Sequence, residues 1–189
     1  KNNGRKDNLD LVNDIINGFT QSCILKGREL GDIGKGISNI INKNGIKNYP
    51  KVVYNIIRGF TQGCIYKNEK LGDIGDCISG IIEQNAINCD PEFPDLVYDI
   101  IDGFIRCCLK QKPNNIKEIA ENFSKLLDID FGEQKAEIKK NLRPTLSSIR
   151  YKYCNKQLSE KNEETEDQIV DCYKKIFNET DEEKINNFR

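Results

Sequence analysis

The sequence predicts an all-α protein built from tandem helical hairpins, and three observations support this prediction. One segment occurs three times, at residues 11–23, 52–64 and 96–108, each time with a central Gly-Phe pair. The copies start 41 and then 44 residues apart, a period typical of helical-repeat units. Within each copy the apolar residues recur at i, i+4, i+7 and i+11, as on one face of an amphipathic helix. A second shared segment, Leu-Gly-Asp-Ile-Gly, follows the first two copies at residues 30 and 71.

In chain order, each unit consists of a helix, a turn and a second helix. The first helix is expected to run to about Leu25, and Asp32 is expected to be the N-cap of the second. After Gly132 the repeat fades, but helical stretches remain near 133–157, where Pro144 is a kink or break, and near 165–178. The predicted units are a loose N-terminus at 1–8, hairpin repeats at 9–48, 49–90 and 91–132, and a degenerate C-terminal hairpin at 133–189. Because no hairpin can bury its apolar stripe alone, we expect a closed bundle or a short α-solenoid.

Composition limits the partners and the compartment. The chain has 189 residues, 31% of them charged, with a net charge of −1, so nothing favours a nucleic acid or an anionic membrane as partner. No run of 18 apolar residues exists that would predict a transmembrane helix. Because the chain begins with Lys1, we interpret it as a mature protein whose targeting segment has been removed or is not included in this sequence.

The eight cysteines predict disulfides and therefore secretion through an oxidising compartment. A metal site is not expected, since the chain has no His and no Cys-x-x-Cys motif. Cys64 and Cys77 are expected at the same end of one hairpin, and Cys154 and Cys172 are candidates for a pair in the C-terminal hairpin. Cys23 would then pair outside its unit, with Cys89, Cys107 or Cys108. Some cysteines can instead be small buried apolar residues.

No catalytic or cofactor-binding residue stands out, so we do not expect an enzyme. Gly31 to Gly36 resembles a phosphate loop but lacks the Walker spacing, and its duplicate has Asp76 in place of Lys35, so close helix packing is the better interpretation. Without His, no Ser-His-Asp or Cys-His arrangement can form. Two glycosylation sequons begin at Asn122 and Asn178, and Asn178 is the better candidate because Asn122 falls within a predicted helix.

Several cysteine and tyrosine positions resemble those of a secreted family. Paired Cys-Tyr-Cys patterns characterise the BICYCLE salivary effectors of gall-forming aphids, and this chain is similar to them in general character. The corresponding residues here are Cys64-Ile65-Tyr66 with Cys77, Cys89 with Tyr98 and Cys107, and Tyr153-Cys154 with Cys172-Tyr173. The pattern Gly59-Phe-x-x-Gly63 followed by Asp73-Ile-x-x-Cys77-Ile also resembles small secreted proteins of ciliates. Both resemblances imply secretion, and neither implies a functional site.

The first functional hypothesis is a secreted, non-enzymatic interaction protein, an effector that binds a host or partner protein. The alternative is a saposin-like carrier of lipid or another small hydrophobic ligand, because disulfide-linked helical hairpins can open around acyl chains. The six-cysteine pattern of saposins does not map onto this chain. The partner, the oligomeric state and the disulfide connectivity are left open.

Overall fold

The structure of the protein, a computed structural model, describes residues 3–43, 46–86, 94–156 and 161–188. All regular structure in these ranges is helical, which confirms the all-α prediction. The α-helices are α1 (Asn3–Leu25), α2 (Leu30–Lys43), α3 (Pro50–Tyr66), α4 (Leu71–Ala86), α5 (Pro94–Gln111), α6 (Ile116–Leu127), α7 (Lys135–Asn141), α8 (Arg143–Cys154), α9 (Glu163–Phe177) and α10 (Glu182–Phe188). None of these helices is long and apolar enough to span a membrane.

The first six helices form two layers. Helices α1, α3 and α5 lie side by side in one layer, and α2, α4 and α6 form the other. Large aliphatic and aromatic side chains from both layers fill one continuous core, including Phe60, Phe104 and Phe123, which are fully buried. Each helix therefore buries its apolar face mainly against the equivalent helix of the neighbouring hairpin.

Glycines set the spacing between the helices of the first layer. A Cβ at Gly59 of α3 would overlap the backbone oxygen of Asn13 in α1, and one at Gly103 of α5 would lie 3.0 Å from the backbone oxygen of Tyr54 in α3. Asn13 and Tyr54 occupy the same position in the first two sequence copies. Gly63 also approaches α1, near the backbone oxygen of Asn17. The same close parallel packing is therefore used twice, because only glycine lets two helix backbones approach so closely.

The C-terminal region continues both layers. Helices α7 and α8 pack on α5, and α9 packs on α6. Pro144 lies in the first turn of α8, where its missing N–H costs nothing, so it starts a new helix after α7. Helix α10 was not anticipated. Its signal is Asp181, whose carboxylate accepts a hydrogen bond from the backbone N–H of Glu183.

Two helices begin at residues other than those expected. Helix α1 begins at Asn3, ahead of residue 9, where the first hairpin was expected to begin. Helix α2 begins at Leu30, and the backbone N–H groups of Asp32 and Ile33 both bond to the carbonyl of Glu29. Asp32 therefore lies within the first turn, where its negative charge is favoured by the helix dipole, and is not the N-cap.

Candidate interaction surfaces

The outer face of α1, the side turned away from α3, is apolar and exposed. Leu11, Ile15 and Phe19 are 56%, 59% and 45% exposed. At the equivalent positions of the next two copies, Ile56, Phe60, Ile100 and Phe104 are at most 2% exposed and Leu96 is 4% exposed, while Val52 is partly buried. Phe19, which the sequence pattern places on the same face as the buried phenylalanines, is thus on the surface, because no helix precedes α1 in the described layer.

Gly18 lies at the centre of this face. A Cβ added at Gly18 would meet nothing within 4 Å, whereas its equivalents Gly59 and Gly103 each face the backbone of the preceding helix. The outer face of α1 therefore resembles the faces of α3 and α5 that pack against the preceding helix. Each has a glycine flanked by the same kinds of apolar residue.

A second surface consists of two concavities, one between α5 and α8 and one where Tyr98 of α5 faces the end of α7 and the start of α8; we call the two together the α5–α8 groove. One part has a volume of about 660 Å³ and is lined by residues that include Arg106, Lys110, Tyr151 and Lys152. Another part, of about 500 Å³, is lined by Tyr98, Lys140, Asn141, Arg143 and Pro144. Both parts combine basic side chains with an aromatic ring.

A buried carboxylate joins the two helices that form this groove. Asp102 of α5 is 5% exposed and accepts a hydrogen bond of 2.6 Å from the hydroxyl of Thr145 in α8. Both Asp102 oxygens also accept from Nε of Arg106, at 2.7 Å each. The bond through Nε fixes the position of the guanidinium, and the Arg106 side chain is 38% exposed.

The seven cysteines in the described residues are all free thiols, and Cys89 lies outside those residues. Disulfide stabilisation is therefore not confirmed, and the pairs Cys64–Cys77 and Cys154–Cys172 stay predictions. Three thiols donate hydrogen bonds to backbone oxygens of a neighbouring hairpin: Cys77 to Leu30 at 3.3 Å, Cys107 to Arg58 at 3.6 Å and Cys172 to Ala120 at 3.5 Å. These contacts favour the interpretation of these three cysteines as small residues at helix contacts.

Burial makes most of these thiols unreactive. Desolvation raises the pKa of Cys77 to about 11 and that of Cys107 to about 12. It also raises the pKa of Cys64, Cys108 and Cys172 well above the usual thiol range. Within the described residues no group of three or more Cys, Asp or Glu side chains is arranged to hold a metal ion. A thiol nucleophile or a thiolate metal site is thus disfavoured at the buried positions.

The two sequons differ in accessibility. Asn122 is 3% exposed, its side-chain amide donates to the backbone oxygen of Glu118 at 2.8 Å, and its side chain packs closely against Gly75. Asn178 is exposed and ends α9 in a left-handed conformation. Burial argues against Asn122 as an acceptor, and glycosylation at Asn178 stays a prediction.

Comparisons of this chain with protein-family models, with curated proteins and with solved structures find no match. Any functional conclusion therefore depends on the two surfaces themselves.

The sequence did not predict either surface. The signal for the α1 face was the repeat alignment, which equates Leu11, Ile15 and Phe19 with positions that need a preceding helix, whereas nothing local indicates that α5 and α8 are neighbours.

Proposed function

We propose that this protein is a non-enzymatic interaction protein that binds an α-helix of a partner protein on the outer face of α1. One observation carries the proposal: this face repeats the helix-accepting faces of α3 and α5 but is exposed. An exposed apolar patch of this kind typically marks a binding surface. The bound helix would occupy the position of a preceding helix in the first layer.

The packing of α1 on α3 indicates what the partner helix must look like. Against Gly59, α1 presents a backbone oxygen at Asn13 and the Cβ of Ile16, and against Gly63 it presents Thr20. A helix that binds over Gly18 in the same way needs an aliphatic residue near the crossing point and small or polar residues beside it. The partner is therefore an amphipathic helix lying parallel to α1, recognised as in helix-in-groove complexes.

The architecture behind this proposal is a short solenoid of three hairpin repeats, closed at one end by a degenerate fourth hairpin. The repeated packing of Gly59 on Asn13 and of Gly103 on Tyr54 supports it. Secretion and an effector role toward a host remain part of the proposal, and they rest on the composition, the cysteine count and the resemblances given above.

A synthetic peptide of residues 9–26, with Cys23 replaced by Ser, is a direct probe because it carries the surface that α1 presents to α3. We expect the labelled peptide to bind the full chain with micromolar affinity in a fluorescence anisotropy titration. Ile15→Lys and Gly18→Ala in the protein should each weaken binding about tenfold or more, because a lysine or an extra Cβ prevents close packing.

Gly36→Ala is the matched control, since a Cβ there also meets nothing within 4 Å but lies on α2. It should leave peptide binding unchanged. The proposal is wrong if the peptide does not bind, or if it binds equally well to the Ile15→Lys and Gly18→Ala variants. Lipid retained by the purified protein in native mass spectrometry, and lost in Ile15→Lys, would instead support the carrier hypothesis.

A further inference from the structure

We infer that the α5–α8 groove is a second binding site, separate from the α1 face, and that it binds an extended acidic peptide segment. The inference starts from the charge of the groove. Its cations are Lys110 on α5, Lys140 on α7 and Lys152 on α8, together with Arg106, which is ion-paired with Asp102, and Arg143, whose guanidinium lies over the ring of Phe177. Lys110, Lys140 and Lys152 are exposed and form no ion pair with any residue that the structure describes.

The two parts of the groove follow one another along α5. Tyr98 and Pro144 line one part, Thr145 bonds to Asp102 between the parts, and Arg106 and Ser148 line the other. Helices α5 and α8 therefore run in the same direction along the groove. From Tyr98 to Lys110 the helix rises about 18 Å, a length that five or six residues of extended peptide span.

The spacing of the cations suits carboxylates along an extended chain. Arg106 and Lys110 are one helical turn apart, roughly 6 Å, and carboxylates on alternate residues of an extended peptide are separated by roughly 7 Å. In an extended peptide the intervening side chains point to the opposite side, so alternation of acidic and apolar residues directs every carboxylate toward the cations. A peptide that alternates acidic and apolar residues therefore matches the groove.

The same geometry disfavours a compact phosphate. Phosphate groups typically bind where several backbone N–H groups converge at a helix N-terminus. The larger part of the groove is formed by the C-terminal halves of α5 and α8, where the backbone N–H groups are used within the helices. The hydrogen-bond donors that the groove offers to an anion are therefore the separate side-chain cations, among which Arg106 is held in place by Asp102.

The test uses a labelled octapeptide of alternating Glu and Leu as the probe and the full chain in a fluorescence anisotropy titration. We expect saturable binding that weakens about fivefold or more when NaCl is raised from about 50 to 500 mM, because salt screens exposed charges. The double variant Lys110→Glu with Lys152→Glu should weaken binding about tenfold or more. A peptide of alternating Lys and Leu should not bind.

Two controls make the result specific. Lys70→Glu also introduces a negative charge at an exposed lysine but lies before α4, so it should change the affinity less than about twofold. Gly18→Ala should leave acidic-peptide binding intact, and the double variant should leave binding of the 9–26 peptide intact, so that the two sites can fail independently. Absence of binding, an equal loss in Lys70→Glu, or displacement of the probe by an equal concentration of inorganic phosphate would each overturn the inference.

Discussion

At the scale of single residues, glycine and cysteine have a common role in this protein, which is to let neighbouring hairpins approach closely. The thiol of Cys77 contacts Gly34 and donates to the carbonyl of Leu30, so a glycine and a cysteine meet between α2 and α4. Cys107 makes a similar contact with the carbonyl of Arg58 in the other layer. A small side chain with a weak donor fits such contacts because it needs little space and satisfies a buried oxygen.

The buried thiols predict a loss of stability at alkaline pH in reducing buffer. Their pKa is raised in the folded chain, to about 11 for Cys77 and about 12 for Cys107, above the value of 9.0 for an exposed thiol. Above pH 9 the unfolded chain loses these protons while the folded chain keeps them, so the free energy of unfolding falls as pH rises toward the folded pKa. Each buried thiol contributes a loss of up to about 1.4 kcal/mol per pH unit in that window.

Urea denaturation at pH 8, 9 and 10 with a reductant measures this effect, and we expect stability to fall steeply between pH 9 and 10. In the Cys107→Ala variant the free energy of unfolding should fall less steeply with pH, because the folded chain has one buried thiol fewer. A stability that stays constant from pH 8 to 10 in the reduced protein would contradict the burial of these thiols as free groups. The same series without reductant tests the predicted disulfides, because a bonded sulfur binds no proton.

At the scale of helices, the close approach of α3 to α1 and of α5 to α3 organises the first layer. Each approach brings a glycine onto the backbone of the preceding helix, and the side chains on either side interlock in the core. In the second layer, Gly75 of α4 instead faces a side chain, that of Asn122 in α6. At Gly59 a larger side chain would meet the backbone of α1 and push the two helices apart.

Replacing glycines by alanine should distinguish two effects on stability, the loss of close helix packing and the gain in helix propensity. Gly59→Ala should destabilise the protein by about 2–4 kcal/mol, because the added Cβ overlaps the backbone of α1. Gly36→Ala should stabilise it by about 0.5–1 kcal/mol, because alanine is the better helix former and the site is open. Chemical denaturation of both variants checks this, and stabilisation by Gly59→Ala would show that α1 and α3 are not in close contact.

At the scale of the whole molecule, the two ends of the layers differ. Helices α7, α8 and α9 cover α5 and α6, whereas α1 has a neighbour in its layer on only one side among the described residues. If the hairpins form a repeat array, as we propose, stability is the sum of each unit and its contacts with neighbours, so a unit with one neighbour opens more easily.

Hydrogen exchange should therefore show graded protection. We expect amides of α1 to exchange at a lower opening free energy than those of α3 and α5, with α5 the slowest of the three. Mass spectrometry of exchanged peptides from the intact chain measures this order. Binding of the 9–26 peptide should raise the protection of α1 specifically, and equal protection of α1 and α5 in the free protein would contradict the open-ended arrangement.

The sequence by itself determined the helical class and the approximate helix positions in the first three units, because the spacing of apolar residues within one helix encodes them locally. The close helix packing expected of the recurring glycine is found at Gly59 and Gly103 but not at Gly18, and that expected of the segment from Gly31 to Gly36 is not found at either of its ends. The start of α1 at Asn3 and the presence of α10 were not anticipated, because short polar segments carry little periodic signal.

Only the tertiary structure decided which of the equivalent faces is exposed and which distant residues share a surface. Leu11, Ile15 and Phe19 have the pattern of buried residues, and their exposure follows from the position of α1 at the edge of its layer. Arg106 and Lys152 become neighbours because α8 packs beside α5, and no sequence period specifies that pairing. A local pattern fixes which face of a helix is apolar, but the packing of the complete chain fixes what, if anything, covers that face.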